Sequence, residues 1–144
     1  MIQYDNKVSL TIDANSKNEA FARISVSAFA AQLDPTLDEL EDIKMAVSEA
    51  VTNAIIHGYD GIENGLVYID CKIANDKLYI DIEDKGRGIE SIEKAREPLY
   101  TSKPDMERSG MGFTIMETFM DSIKIVSELG KGTKIFLEKK INKN

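Results

Sequence analysis

The sequence predicts an α+β chain, a two-layer α/β sandwich with a mixed, mainly antiparallel sheet and its helices on one face. Three observations predict it. Several runs alternate apolar and polar residues, as half-buried strands do. Two longer stretches place apolar residues at helical spacing, and Asn, Asp and Gly cluster between the runs, where turns need them.

The first element is a strand over 7–13, "KVSLTID", in which Val8, Leu10 and Ile12 alternate with polar neighbours. Asn15 to Asn18 supply a helix start, and an Ala-rich helix follows over 19–33. "DPT" at 34–36 ends that helix and opens the next, because proline is tolerated only in a first turn. The second helix is expected from about 36 to 57, closing near Gly58 with a left-handed cap. Two alternating runs, "LVYIDCKI" and "KLYIDIED", are separated by Ala74, Asn75 and Asp76 and read as a hairpin. Residues 85–109 show little periodicity beyond a possible helical turn near 91–96, and a loop of that length in a compact domain is usually functional or mobile. A helix over about 110–119 and a final hairpin, 122–129 and 133–139 around "GKG", complete the pattern.

The totals bound the function. With 144 residues, one cysteine (Cys71) and no long apolar run, the chain reads as one domain, without a disulfide framework, a Cys/His metal cluster or a membrane span. The opening "MIQYDNKVSLTID" is polar and alternating, so no secretory leader is expected and the expected location is cytoplasmic. A formal net charge of −7 disfavours direct nucleic-acid binding, which relies on a basic surface. Any phosphate must therefore be held locally.

On the second helix, Glu49, Asn53 and His57 form one ridge at about 100° per residue, opposite Leu40, Ile43, Val47, Ala50, Val51 and Ala54. Glu49 is the one charged residue between Met45 and Ile56. A solvated face would carry a mixture of Lys, Arg and Glu; sparse polar groups on an apolar helix suit a pocket wall equally well.

Three glycine-bearing segments follow. "DKGRG", Asp84 to Gly88, puts a carboxylate at a strand end and lets a flat ligand approach the backbone over Gly86 and Gly88, or else is an ordinary turn. "SGMG", Ser109 to Gly112, exposes amides at a helix entrance, where anions are held. "GKGT", Gly130 to Thr133, is a hairpin turn that also offers a hydroxyl.

In this order and combination the segments resemble the signature of the GHKL ATPases, which include histidine kinases, gyrase, Hsp90 and MutL. "SEAVTNAIIHGY", "PLYTSKPDMERSGMGFTIME" and "LDPTLDELEDIK" are similar, more specifically, to the small bacterial anti-sigma factors of the sporulation type that are also serine protein kinases. The resemblance covers nearly the whole chain and implies the Bergerat fold in one ATP-binding kinase domain over 1–144.

It also implies roles. Asn53 would ligate a magnesium ion between nucleotide phosphates, and Asp84 would accept from the adenine amino group, supported by Thr133 and the close approach at Gly86 and Gly88. Ser109, Gly110, Met111 and Gly112 would cradle the phosphates. Glu49 would be the general base, orienting or deprotonating an attacking hydroxyl. Residues 98–109 would form a nucleotide lid, with Thr101 and Lys103 on the nucleotide and Arg108 a further cation. His57 is left between a ligand contact and a helix-end packing role. Arg23 would contact a partner; unaided, it reads as a surface arginine.

The implied cofactors are ATP/ADP and Mg2+. The implied partners are a sporulation sigma factor, an anti-anti-sigma factor phosphorylated on serine, and a second copy of the chain, paired through the first strand to form a homodimer. Two other readings remain: an anti-sigma kinase of the general stress type, and a sigma-binding module that holds ATP without significant transfer.

Overall fold

The computed structural model describes residues 4–97 and 112–141. Its five strands are β1 (Asn6–Asp13), β2 (Leu66–Ala74), β3 (Lys77–Asp84), β4 (Ser122–Glu128) and β5 (Gly132–Lys140), and its helices are α1 (Glu19–Ala30), α2 (Leu37–Asn53), α3 (Ile92–Ala95) and α4 (Gly112–Phe119). The strands form one sheet in the order β1-β2-β3-β5-β4. Every pairing is antiparallel, so the sheet is not mixed as expected from the sequence. The reason lies in the connections: three of the four pairs join consecutive strands, and the return to β5 also runs against β3.

Alternation works as the period of a strand requires. On β3, Leu78, Ile80 and Ile82 are buried beneath the helices while Lys77, Tyr79 and Asp81 on the other face are partly open. The helical layer answers with Ile43, Val47 and Val51 of α2 and Met116 of α4, all fully buried. α2 packs against both α1 and α4. The turn between β2 and β3 sets Asn75 at a φ of 59°, a conformation asparagine tolerates better than most side chains.

Helix ends follow local chemistry. Thr36 and Glu39 form a reciprocal capping box at the start of α2, and Asn15 caps a short 3₁₀ turn (Ser16–Asn18) ahead of α1. The C-terminal end of α1 tightens into another 3₁₀ turn, Ala31–Leu33, within the helix expected over 19–33. α2 departs from expectation at its end. It passes after Asn53 into a π-helical turn, Ala54–Gly58, whose wider ring is seen in the bond from the Tyr59 N–H to the Ala54 carbonyl at 3.1 Å. Gly58 is not left-handed, and its φ explains nothing about the chain's exit. Among the described residues no helix is long and apolar enough to cross a membrane.

Candidate functional site

The strand order decides where the site lies. Because β3 pairs with β5, the last residue of β3, Asp84, stands opposite Thr133. Both are buried, at 4% and 5% exposure, although each is polar. Beside them opens a cavity of about 790 Å³ whose walls include Asn53, His57, Gly58, Asp84, Gly86, Gly88, Gly112 and Thr133. Asn53 and His57 of the polar ridge, the loop after β3, the start of α4 and the last hairpin therefore converge on one space.

The Asp84 carboxylate accepts from the Gly86 N–H at 3.0 Å and from the Thr133 backbone N–H. Burial nevertheless pushes its pKa up to about 6 from 3.8, outweighing those two bonds, with the Glu83 charge adding to the rise. Such a group keeps its charge at a desolvation cost in the free protein. A ligand amine would relieve it.

Close approach explains two glycines. A Cβ on Gly58 would lie 2.6 Å from the Asp84 carboxyl carbon, and one on Gly86 would lie 1.8 Å from the Gly58 carbonyl oxygen. The π turn and the post-β3 loop are thus pressed together, tied by the Arg87 N–H donating to the Gly58 carbonyl at 2.7 Å. Gly58 serves this contact, which corrects its expected role as a cap.

Tyr59 braces the same corner. Its buried hydroxyl donates to the Leu66 carbonyl at 2.5 Å and accepts from the Lys85 N–H at 2.7 Å, and burial, the largest influence, holds its pKa above the usual value. Arg87 donates to Asp60 at 2.9 Å at the cavity mouth. Ser127 meets the Thr133 hydroxyl at 2.8 Å. Sequence reasoning missed Gly58's contact, Tyr59 and Ser127. The adjacency of "HGYD" to the ridge was a signal for the first two, whereas only the β4–β5 register exposes the third.

Neither Glu49 nor Arg23, whose expected role is at a partner surface, lines the cavity. Glu49 is half-buried one turn before Asn53. Arg23, on α1, is paired with Glu19 at 3.0 Å. Thr101, Lys103, Arg108, Ser109, Gly110 and Met111 fall outside the described residues.

Residues 12–139 match the family described as "Histidine kinase-like ATPase domain". The chain is 64% identical over 138 residues to the anti-sigma F factor of Clostridium perfringens, an alignment covering 96% of this chain and 99% of that one. It is 62% identical to the anti-sigma F factor of Clostridium beijerinckii, with 96% of each covered. The chain belongs to the anti-sigma F factor family of histidine kinase-like ATPases. As an anti-sigma F family member it carries an ATP/ADP-binding fold, and the cavity just described is a concave space among the described residues.

Solved structures agree on the fold. The crystal structure of the RsbU and RsbW domains of Rv1364c from Mycobacterium tuberculosis superposes with a TM-score of 0.67 at 20% identity, covering 94% of this chain and 32% of that longer one. The catalytic domain of histidine kinase ThkA gives a TM-score of 0.57 at 17% identity, covering 94% and 96%. The anti-sigma F family thus shares its architecture with kinase ATPase domains of little sequence similarity.

Proposed function

We propose that the chain holds a sporulation sigma factor away from RNA polymerase and, with Mg-ATP, phosphorylates a serine on its anti-anti-sigma factor. The observation that carries this reading is one cavity running from a buried carboxylate to a helix N-terminus, in a chain of the anti-sigma F family. The reading takes residues 1–144 as one domain.

The residues present fit a nucleotide. Asp84 accepts from an exocyclic amine, and Gly86 and Gly88 line the cavity beside it, their missing side chains making room for the Gly58 and Glu128 carbonyls rather than for the base. At the other end Gly112 opens α4, where N–H groups and the helix dipole favour phosphate; Ser109, Gly110 and Met111 would extend that cradle, with Thr101 and Lys103 reaching the nucleotide from the lid. ATP supplies the transferable phosphoryl group. Among the described residues no cluster of three His, Cys, Asp or Glu could hold a metal. The Asn53 amide oxygen suits instead a magnesium ion that takes its other ligands from phosphate and water.

Glu49 is assigned to orient or deprotonate the attacking serine hydroxyl. A phosphate added to that serine carries roughly −1.5 to −2 charges and so weakens the product's binding, returning the anti-sigma factor to sigma. Arg23 is assigned to partner contact, which its part-exposed side chain allows. Val8 on the edge strand β1, with Phe21 and Ile24 on α1, presents exposed apolar surface that supports a homodimer.

One observation favours a second reading, a sigma-binding module that holds ATP without significant transfer: Glu49 does not line the cavity. The Glu49→Gln variant separates the two. Under the kinase reading it keeps ATP and sigma binding and loses most phosphorylation of the anti-anti-sigma factor; an unimpaired rate removes Glu49 from the mechanism. Arg23→Ala should weaken partner binding with ATP affinity unchanged, both read by calorimetry, and equal partner affinity would remove that contact.

A further inference from the structure

We infer that Ser127, a residue outside the nucleotide cavity, sets the base specificity of the site by fixing which way the Thr133 hydroxyl points its proton. This rests on the reading of the cavity as an adenine nucleotide site.

A serine hydroxyl has one proton to give and two lone pairs to accept with. At Ser127 all three are used. The Ile89 N–H donates to its oxygen at 2.7 Å, and the Ser127 hydroxyl lies 3.1 Å from the Gly132 carbonyl, which can only accept. The remaining neighbour is the Thr133 hydroxyl at 2.8 Å, where either oxygen could donate. Assigning the Ser127 proton to Gly132 and the Thr133 proton to Ser127 is the one arrangement that gives each of the three contacts a proton; the reverse leaves the 3.1 Å contact to Gly132 without one. The Thr133 oxygen then has only lone pairs left to offer.

The consequence lies across the strand pair. Thr133 stands opposite Asp84, and both line the cavity. An ionised carboxylate and a hydroxyl whose proton is already committed form a wall of acceptors. Such a wall favours a base edge bearing an amine and opposes one bearing a carbonyl oxygen there, because two acceptors face each other without a proton between them. Ser127 touches no ligand in this arrangement. It is a positioning residue acting through Thr133.

Removing the Ser127 oxygen frees the Thr133 proton to turn toward the cavity and meet a carbonyl. ITP is the matching probe, since its base replaces the adenine amine with a carbonyl oxygen. Calorimetric titration of wild type, Ser127→Ala and Ser127→Thr with ATP and ITP reads the ratio of the two affinities. Wild type and Ser127→Thr, which keeps the hydroxyl, should share one strong preference for ATP; in Ser127→Ala it should fall by about tenfold. A merely structural serine would lower both affinities together and leave the ratio alone. That result overturns the inference. Should Ser127→Ala not fold, Ser127→Cys, of similar size and a weak acceptor, carries the same expectation. If the folded wild type binds neither nucleotide, the adenine reading of the cavity fails instead, a different outcome from an unchanged ratio.

Discussion

Asp84 is held in a state that costs the free protein something. Its carboxyl titrates near 6 in the fold against 3.8 when solvated, chiefly through burial, so the folded chain holds more protons than the unfolded chain between those values. The sign follows: this group's contribution to stability falls as pH rises from about 4 to 6 and stays reduced above. Asp84→Asn removes the buried charge and keeps one oxygen for the Gly86 N–H, a gain that outweighs the weakened bond from the Thr133 N–H. It should therefore raise the stability of the nucleotide-free protein at pH 7.5 by about 1–2 kcal/mol, an advantage that disappears below pH 4, as read by urea unfolding at both values. Nucleotide affinity should move the opposite way in wild type. As pH falls through 6 the carboxylate takes a proton, loses acceptor capacity and binds an amine less well, which titrations at pH 5 and 7.5 would reveal. Gly58 offers a steric test at the same point. Gly58→Ala places a methyl against the Asp84 carboxylate, and nucleotide affinity should drop at least about tenfold while circular dichroism retains the helical signal.

At the scale of elements, the capping box at the start of α2 is a stability device remote from the cavity. Thr36→Ala should cost about 1 kcal/mol in unfolding free energy and leave nucleotide affinity unchanged. The elements also separate what was legible in the sequence from what was not. Period-2 runs such as "KLYIDIED" specify both a strand and its buried face, so β1 to β5 fall where the alternation puts them. The helix starts at Asn15 and Thr36 likewise act within a few residues of themselves. The π turn does not, because it answers to a contact between Gly58 and Gly86, which lie far apart in sequence. Local propensity carries no trace of such a contact. The same holds for Ser127, an unremarkable strand serine until the β4–β5 register sets it against Thr133.

For the whole molecule, strand order does most to make a site from separate motifs. Placing β5 beside β3 carries "GKGT" to "DKGRG", and packing α2 against α4 carries Asn53 toward Gly112. The individual motifs are common turns and helix starts; their convergence on one cavity is what distinguishes them. Glu49 and Arg23 remain outside that convergence, and their proposed roles concern protein partners rather than the nucleotide. The central claim is that this cavity takes a magnesium-bound adenine nucleotide through Asp84. Calorimetric titration with ATP and ADP, with and without magnesium, on wild type and Asp84→Asn tests it most directly. The account predicts magnesium-dependent binding to wild type that the substitution abolishes. Undiminished binding by folded Asp84→Asn, or none by folded wild type, would contradict it.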